Sequence, residues 1–312
     1  MTVVALSGGV GGAKLALGLS RVLPPEDLLI VTNTGDDFEH LGLAISPDID
    51  TVMYTLAGVA NQTLGWGRQD ETWSFMETLG TVGGETWFRL GDRDLAVHVE
   101  RTRRLRAGET LSAITADLCG RLGVGPRVLP MSDDPVRTRV RTDEGWIDFQ
   151  DYFVRRRCEP VVHEVAFHGA EAADAHPDFL AALADPRLKA VVICPSNPFI
   201  SIEPILAVPG VRAALADCAA PVIAVSPIIG GRAVKGPTAK MMTELGLTPS
   251  AGAVAKRYAE LIDGYVVDYA DMDQVTAIGA KVTMGQTMMT TLADREALAR
   301  TVLGAAGVLR RD

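Results

Sequence analysis

A glycine-rich segment near the start of the chain has the composition of a phosphate-binding turn. Gly8, Gly9, Gly11 and Gly12 follow a short apolar stretch, and Lys14 comes two residues later. Glycines let the backbone approach phosphate oxygens, and a following helix offers N–H groups with a partial positive charge. Lys14 adds a full positive charge. The segment therefore predicts a site for a phosphorylated nucleotide.

Two common nucleotide motifs fit this segment poorly. In a Walker A motif, Ala13 would replace the second glycine and Leu15 the magnesium-binding Ser or Thr. A dinucleotide fingerprint fits better, but the second strand is expected to end near Asn33 rather than at the acidic residue that binds a ribose. A P-loop kinase is disfavoured and a dehydrogenase is weakened. The remaining alternative is a turn that only packs a helix closely against a strand.

Four carboxylates follow the first two predicted strands. Asp36, Asp37, Asp48 and Asp50 are expected in loops, where they can bind Mg²⁺ or accept hydrogen bonds from a polyol. Ordinary helix capping by Ser46 or Asp48 is an equal alternative. The sequence does not decide between the two.

The elements that must position these residues have an alternating pattern. Residues 2–7 and 28–34 are short apolar runs typical of buried strands, and leucines at helical spacing in 13–22 connect them. Further strands are expected at 190–194, 221–226 and 265–268, and the loops after them carry Ser196, Asn197 and Gly230. The pattern predicts an α/β fold with a parallel sheet flanked by helices, with ligands at the carboxyl ends of the strands.

The middle of the chain lacks the alternation of strands and helices and is mostly helical in pattern. Residues 51–59 begin a mostly helical stretch that continues to about residue 125, and 136–140 with 146–149 alternate like a β-hairpin. We expect one domain over 1–312 with a mainly helical insertion or cap at 51–150. Within it, Arg89 and Asp92 flank a glycine, in a pattern that without further context indicates a solvated turn.

Composition limits the classes of function. The 312 residues are 47% hydrophobic and 22% charged, which is typical of a folded globular protein. A net charge of −9 disfavours nonspecific binding to nucleic acid or to anionic membranes. No apolar stretch is long enough to span a bilayer. We expect a cytoplasmic protein that acts on small molecules.

Several spaced motifs together resemble the 2-phospho-L-lactate transferase family. The similarity covers nearly the whole chain in order and is much more specific than the glycine segment alone. The matching segments are residues 7–14, 33–34, 46–51, 90–94, 129–135, 196–198 and 226–230.

The resemblance implies a reaction in coenzyme F420 biosynthesis on a Rossmann-like fold with a helical insertion. The ribityl hydroxyl of the deazaflavin precursor FO attacks the phosphate of a guanosine-diphospho-linked lactate-type acid, and GMP leaves, with Mg²⁺ as the expected cofactor. By motif, Asp50 would orient or deprotonate the hydroxyl, Arg89 would contact FO and Asp92 would assist. The implied nucleotide-binding residues are Gly8, Gly9, Gly11, Gly12, Lys14, Asn33, Ser196, Asn197, Gly230 and Lys235.

Other interpretations stay open at this stage. Gluconeogenesis-factor proteins share the glycine-rich start and would be nucleotide-sugar-binding regulators, while an NAD-dependent oxidoreductase would rest on the first turn alone. Trp66, Trp73 and Trp87 favour the transferase, because a flat deazaflavin needs an aromatic wall, although core packing also explains tryptophans. The sequence does not separate 2-phospholactate, phosphoenolpyruvate and phosphoglycerate as the transferred acid. A homodimer is expected for such an enzyme.

Overall fold

The computed structural model describes residues 2–234 and 236–308. Its strands, in chain order, are β1 (Val3–Ser7), β2 (Leu28–Thr32), β3 (Phe38–His40), β4 (Leu43–Ile45), β5 (Arg127–Pro130), β6 (Arg137–Thr142), β7 (Gly145–Asp148), β8 (Glu164–His168), β9 (Ala190–Ile193), β10 (Val222–Val225), β11 (Ile228–Ile229), β12 (Arg232–Ala233), β13 (Gly264–Asp268) and β14 (Lys281–Gly285). Its α-helices are α1 (Gly9–Val22), α2 (Pro47–Leu56), α3 (Ser74–Thr81), α4 (Asp92–Arg106), α5 (Leu111–Arg121), α6 (Pro177–Leu183), α7 (Glu203–Ala207), α8 (Val211–Ala216), α9 (Thr238–Glu244), α10 (Ala251–Arg257) and α11 (Leu292–Val308).

Seven parallel strands form the central sheet, in the order β14-β13-β10-β9-β1-β2-β5. From β1 the chain builds one half of the sheet through β2 and β5, and it then returns to the other side of β1 to build the second half. The segments that follow β1 and β9 therefore lead to opposite halves of the sheet. Such a switch point leaves a crevice at the carboxyl ends of the strands, where open α/β sheets bind ligands.

The predicted α/β fold is confirmed, and burial explains it. Every residue of β1 and β2 is buried, as expected for strands covered on both faces. Alternate side chains of β1 enter two different cores: Val4 and Leu6 pack into one, and Val3 and Ala5 into the other. Helices α1, α2 and α11 pack together on the second face. The first helix therefore has a fixed position against the strand that precedes it.

Smaller antiparallel units surround the sheet. The predicted hairpin is present as β6 and β7, and β8 adds a third strand to it. A second hairpin, β3 with β4, precedes α2. The segment 51–150 contains most of α2 and all of α3 to α5, but it also supplies β5 to the central sheet. Its description as an insertion or cap stays a prediction. Across the described residues, no helix has the length and apolar character needed to cross a membrane.

Two helices begin earlier than the sequence pattern indicates. Helix α1 begins at Gly9 rather than at residue 13, so most of the glycine segment is the first helical turn instead of an open loop. Helix α2 begins at Pro47, a favourable first position because the missing N–H needs no partner there. As a result, Asp48 and Asp50 belong to the first turn of α2, and their expected placement in loops is wrong.

Candidate active site

A cavity of about 570 Å³ opens beside the carboxyl ends of β1, β9 and β10. Its walls come from the amino ends of α1 and α2, from the segments after β9, β10 and β14, and from aromatic residues of the middle region. Ligand sites typically have volumes of roughly 300–1,000 Å³. The cavity is thus large enough for a substantial part of a nucleotide and a second ring system.

The amino end of α1 presents backbone N–H groups to the cavity. Gly8, Gly9 and Gly11 line the wall. Gly8 is the N-cap, and its N–H donates to Ser196 Oγ at 3.2 Å. Gly9 has a φ of +63°, a left-handed conformation that favours glycine. The first turn of a helix carries a partial positive charge, so this end of α1 suits an anionic ligand.

Close packing explains two of the glycines. A Cβ atom on Gly11 would lie 2.3 Å from the carbonyl oxygen of Pro195, and one on Gly12 would lie 2.5 Å from Ser7 Oγ. Gly12 is buried and does not line the cavity. Packing alone therefore accounts for Gly12, which lies between α1 and β1, whereas Gly11 both packs closely and lines the wall.

Three other expected nucleotide residues lie on the same wall. Lys14, Ser196 and Asn197 all line the cavity. Lys14 Nζ donates to the carbonyl oxygen of Met289 at 2.9 Å, which joins α1 to the segment after β14. The Asn197 side chain accepts from Phe199 N–H at 2.9 Å and caps the helical turn that follows. Cationic and hydrogen-bonding groups therefore converge beside the α1 terminus.

Asn33 does not line the cavity but binds the side chain of Asp48, which does. Its Nδ2 donates to Asp48 Oδ2 at 2.9 Å and to the carbonyl oxygen of Ile200 at 3.1 Å. The Asp48 carboxylate also accepts from Gly9 N–H. Asp36 and Asp48 both line the cavity. The acidic group therefore meets the glycine segment directly, with Asp48 oriented by Asn33.

Burial makes the ionised forms of the Asp36 and Asp48 carboxylates unfavourable. Burial raises the pKa of Asp48 to about 6. Burial first, and then the charge of Asp48, raise the pKa of Asp36 well above its ordinary value. Asp36 Oδ1 is buried and has no hydrogen-bond partner among the described residues. A divalent cation would relieve the repulsion and occupy the unpaired oxygen, so this pair fits Mg²⁺, which prefers oxygen ligands.

The Ser46 side chain does not cap helix α2. It is the N-cap of α2, but its side chain makes no capping hydrogen bond within the part of the chain that is described. Its Oγ donates instead to Asp37 Oδ2 at 2.7 Å. Burial raises the pKa of Asp37 to about 7. Ser46 therefore joins the acidic group that the sequence placed near the mouth of the sheet.

Asp50 lies outside the cavity wall. Arg101 binds its carboxylate with both terminal nitrogens, with Nη1 at 3.0 Å from Oδ2. Asp50, Asp94 and His98 bring potential metal-ligand atoms within 4.8 Å of one another, but the Arg101 guanidinium already supplies the positive charge there. We therefore regard this cluster as an ion-paired network. The contact between Asp50 and FO stays a prediction that this geometry does not support.

Arg89 and Asp92 have separate environments. Arg89 lines the cavity, and its guanidinium stacks over the Trp73 ring at 4.2 Å. Asp92 is not on the wall: it accepts from Thr72 Oγ1 at 2.6 Å and from Ser74 N–H at 3.1 Å, at the start of α3. Arg89 is thus placed to contact a ligand. A role for Asp92 at FO stays a prediction, and its observed contacts stabilise the helix.

A group of aromatic side chains also lines the cavity. Trp66, Trp87, Phe88, Phe149 and Phe153 line it. Trp66 is 42% exposed and contacts Trp73, and Phe153 is 37% exposed and stacks on Phe149. A contiguous exposed apolar patch can mark a ligand-binding groove. The cavity therefore combines charged, hydrogen-bonding groups with aromatic groups that suit a flat ring system.

Only some residues of the loop after β10 line the cavity. Gly230 is not on the wall: its N–H donates to the buried Asp271 Oδ2 at 2.9 Å. Its neighbours Ile229 and Val234 do line the cavity. Lys235 lies outside the described residues. The nucleotide-binding roles of Gly230 and Lys235 stay predictions.

Several wall residues were missing from the expected set. Gln150, Ser201, Thr287 and Met289 line the cavity. Thr287 follows β14, and its N–H donates to Asp268 Oδ2 at 2.7 Å. Recognition of β14 as a parallel strand would have identified Thr287 and Met289, because the carboxyl end of each such strand meets the same edge.

Comparisons with known proteins identify the family of this chain. The model of the family "2-phospho-L-lactate transferase CofD" matches residues 3–304. A phosphoenolpyruvate transferase of Streptomyces griseus is 42% identical over 99% of this chain and all of its own length. One from Kitasatospora aureofaciens is 44% identical over 99% of each chain, and one from Mycobacterium tuberculosis is 40% identical over 91% of this chain and 94% of its own.

A solved structure shares the fold at low sequence identity. A UPF0052 family protein from Bacillus halodurans superposes with a TM-score of 0.65 and 14% identity, covering 97% of this chain and 98% of its own. That likeness concerns the architecture alone. The family match and the relatives above 40% identity cover nearly the whole chain. This chain therefore belongs to the 2-phospho-L-lactate transferase family and is a CofD-type transferase enzyme of coenzyme F420 biosynthesis.

Proposed function

We propose that the enzyme transfers a phosphate-linked three-carbon acid from a guanosine-diphosphate-linked donor to the ribityl hydroxyl of FO, with release of GMP. The observation that carries this proposal is that one cavity combines two kinds of lining. The α1 amino end and the Asp36–Asp48 pair line it together with a group of aromatic residues. A donor diphosphate and a flat acceptor ring match these two kinds of lining in charge and shape.

The donor diphosphate is assigned to the glycine segment. The N–H groups of the first turn of α1 would bind its oxygens, and Lys14 and Ser196 would lie beside them. Asp36 and Asp48 would hold Mg²⁺, which when bound neutralises charge on the phosphate oxygens. Transfer of a substituted phosphoryl group depends mainly on such positioning and charge neutralisation. Gly12 and Asn33 would support this site from behind.

We assign FO to the aromatic residues of the cavity wall. Its ring would pack among Trp66, Trp87 and Phe88, with Arg89 at the same wall. Its ribityl chain would then point toward the acidic pair. Because Asp50 is paired with Arg101 and lies outside the wall, we assign the orientation of the attacking hydroxyl to Asp36 and Asp48, which would hold Mg²⁺ beside it.

We take phosphoenolpyruvate as the transferred acid, because the curated relatives are named phosphoenolpyruvate transferases. The test is incubation of the purified protein with FO, MgCl₂ and, in separate reactions, the guanylylated derivatives of phosphoenolpyruvate, 2-phospholactate and 3-phosphoglycerate. Mass analysis should show the phosphodiester of FO, formed fastest with phosphoenolpyruvate. Formation of GMP should match it mole for mole.

Two results would contradict the proposal. Binding of GDP without any product would favour the regulatory nucleotide-binding alternative, and saturable NAD binding without FO binding would favour an oxidoreductase. Sedimentation of the same preparation would test the proposed homodimer. Its measured mass should be twice that of the 33.2 kDa chain.

A further inference from the structure

Ser201 lines the cavity with a hydroxyl that has no hydrogen-bond partner among the described residues. The residue is only 5% exposed, yet its Oγ is not fully enclosed by the described residues, so this oxygen reaches the cavity. Serines in helices often donate to a carbonyl oxygen of the preceding turn, as Ser20 does to Leu17 at 2.8 Å. The Ser201 hydroxyl is instead available to a ligand.

The backbone around Ser201 explains why its hydroxyl donates to no described carbonyl. Residues Pro198–Ile202 form a single π-helical turn. The carbonyl oxygen of Asn197 accepts from Ser201 N–H at 3.0 Å and from Ile202 N–H at 3.2 Å. A carbonyl oxygen has two lone pairs, so the acceptor that a helical serine would otherwise use is already occupied. Turns of this kind are frequent at functional sites.

Ser201 and Asp48 present oxygen atoms at the same end of α1. A Cβ atom placed on Gly8, the N-cap, would lie 2.8 Å from Asp48 Oδ2 and 3.0 Å from Ser201 Oγ. Asn33 Nδ2 donates to Asp48 Oδ2 and also to the carbonyl oxygen of the residue before Ser201. One amide group therefore joins the two segments that carry these oxygens.

This end of α1 offers oxygen atoms to a ligand more than it offers N–H groups. Gly8 N–H donates to Ser196 Oγ, and Gly9 N–H donates to Asp48. A phosphate is therefore expected farther along the first turn, at Gly11, which also lines the wall. The Gly8 end suits a cation, because Mg²⁺ binds oxygen ligands.

The glycine segment lacks a metal-binding hydroxyl of its own. In P-loop proteins, a Ser or Thr directly after the motif lysine binds Mg²⁺. Here Leu15 follows Lys14 and is completely buried. Ser201 brings a hydroxyl to the amino end of α1 from a distant part of the chain.

We propose that the Ser201 hydroxyl is a ligand of the Mg²⁺ that Asp36 and Asp48 would hold. This inference rests on the proposed function, which assigns the metal ion to that pair. A hydroxyl is a neutral oxygen ligand, so it contributes to the site without adding charge to two buried carboxylates. The connection after β2, the first turn of α2 and the π-helical turn would each supply one ligand.

The test measures binding of Mn²⁺, a paramagnetic substitute for Mg²⁺, to the purified protein in the presence of GDP. Ser201→Ala removes the hydroxyl, and Ser201→Cys replaces its oxygen by sulfur. The matched controls are Ser20→Ala and Ser20→Cys, because Ser20 lies on α1, donates to a backbone carbonyl and is not among the residues that line the cavity.

A metal ligand predicts a specific pattern of affinities. Ser201→Ala should weaken Mn²⁺ binding about tenfold, as loss of one group at a metal site does, while GDP binding without metal stays unchanged. Ser201→Cys should bind Cd²⁺ more tightly than the wild type and give a sulfur-to-Cd²⁺ absorbance band, because soft metals prefer sulfur ligands. Both Ser20 variants should match the wild type.

Three results would overturn the inference. Wild-type Mn²⁺ affinity in Ser201→Ala removes the hydroxyl from the metal site. An equal loss of GDP affinity with and without metal shows that the hydroxyl binds a phosphate oxygen instead. A Cd²⁺ affinity of Ser201→Cys that is no higher than that of Ser20→Cys shows that sulfur at this position does not reach the ion.

The metal titrations separate this inference from the proposed reaction. Weaker Mn²⁺ binding in Ser201→Ala, with no product from wild-type enzyme, FO and any of the three donors, refutes the proposed reaction alone. Product formation by the wild type, with unchanged Mn²⁺ affinity in Ser201→Ala, refutes the role of Ser201 alone.

Discussion

Gly11 lies where α1 packs closely against the segment after β9. We predict that Gly11→Ala lowers both the free energy of unfolding and the affinity for GDP. The added Cβ would lie 2.3 Å from the carbonyl oxygen of Pro195. Ordinary contacts of this kind begin at 3.4 Å. The helix and the Pro195–Ser196 segment must therefore separate by about 1 Å, because the clash is with backbone and no flexible side chain can yield.

The expected magnitudes follow from that displacement. Overpacking of this kind typically costs about 1–3 kcal/mol of unfolding free energy. Movement of Ser196 by about 1 Å also disturbs its 3.2 Å hydrogen bond with Gly8 N–H at the proposed diphosphate site. We expect turnover to fall roughly 100-fold, since catalysis is sensitive to shifts of this size.

Gly120→Ala is the matched control. Gly120 lies near the end of α5, and a Cβ there would meet no described atom within 4 Å. This change should raise the unfolding free energy by about 0.5–1 kcal/mol, because alanine loses less backbone entropy in a helix than glycine. Urea unfolding and calorimetric titration with GDP measure both variants. Wild-type stability and GDP affinity in Gly11→Ala would refute the close-packing argument.

Three further changes test the site. Asp48→Asn should lower kcat by about 100-fold, as loss of a metal-binding carboxylate would, and steady-state assays at saturating MgCl₂ would reveal an unaffected rate if the assignment is mistaken. Burial raises the pKa of Asp37 from 3.8 to about 7, so the folded state binds this proton more tightly and stability is lost as pH rises between these values. Asp37→Asn should therefore stabilise the fold near pH 8, by about 4 kcal/mol at most, and not near pH 4; a gain that is equal at both pH values in urea titrations would contradict this. Arg89→Met should raise the KM for FO about tenfold, as expected for one lost charged contact, and a parallel loss of GDP affinity would place Arg89 elsewhere.

The order of the elements could be predicted because the central strands are buried on both faces. Uninterrupted apolar runs such as Val3–Ser7 and Leu28–Thr32 have few alternative interpretations. Strand β5 was missed, since Arg127–Pro130 is short, begins with a charge and ends with proline, which only an edge strand tolerates. Short-range pattern therefore identifies the interior of the sheet better than its edge.

The division of roles between Asp48 and Asp50 could not be predicted. Two positions on a helix differ by about 200°, so the two carboxylates point to nearly opposite sides. Asp48 lines the cavity, whereas Asp50 binds Arg101, which is 51 positions beyond it in the chain. Similarly, the glycine segment indicated an anion site, but only the structure shows that Gly12 packs against Ser7 behind the wall while Gly11 lines it.

The most direct test of the account is a crystal structure of the enzyme with GDP and MgCl₂. The account predicts the diphosphate against the first turn of α1 at Gly11, beside Lys14 and Ser196, with the metal ion bound by Asp36 and Asp48. A nucleotide bound in another part of the molecule, with the first turn of α1 contacting no phosphate, would contradict it.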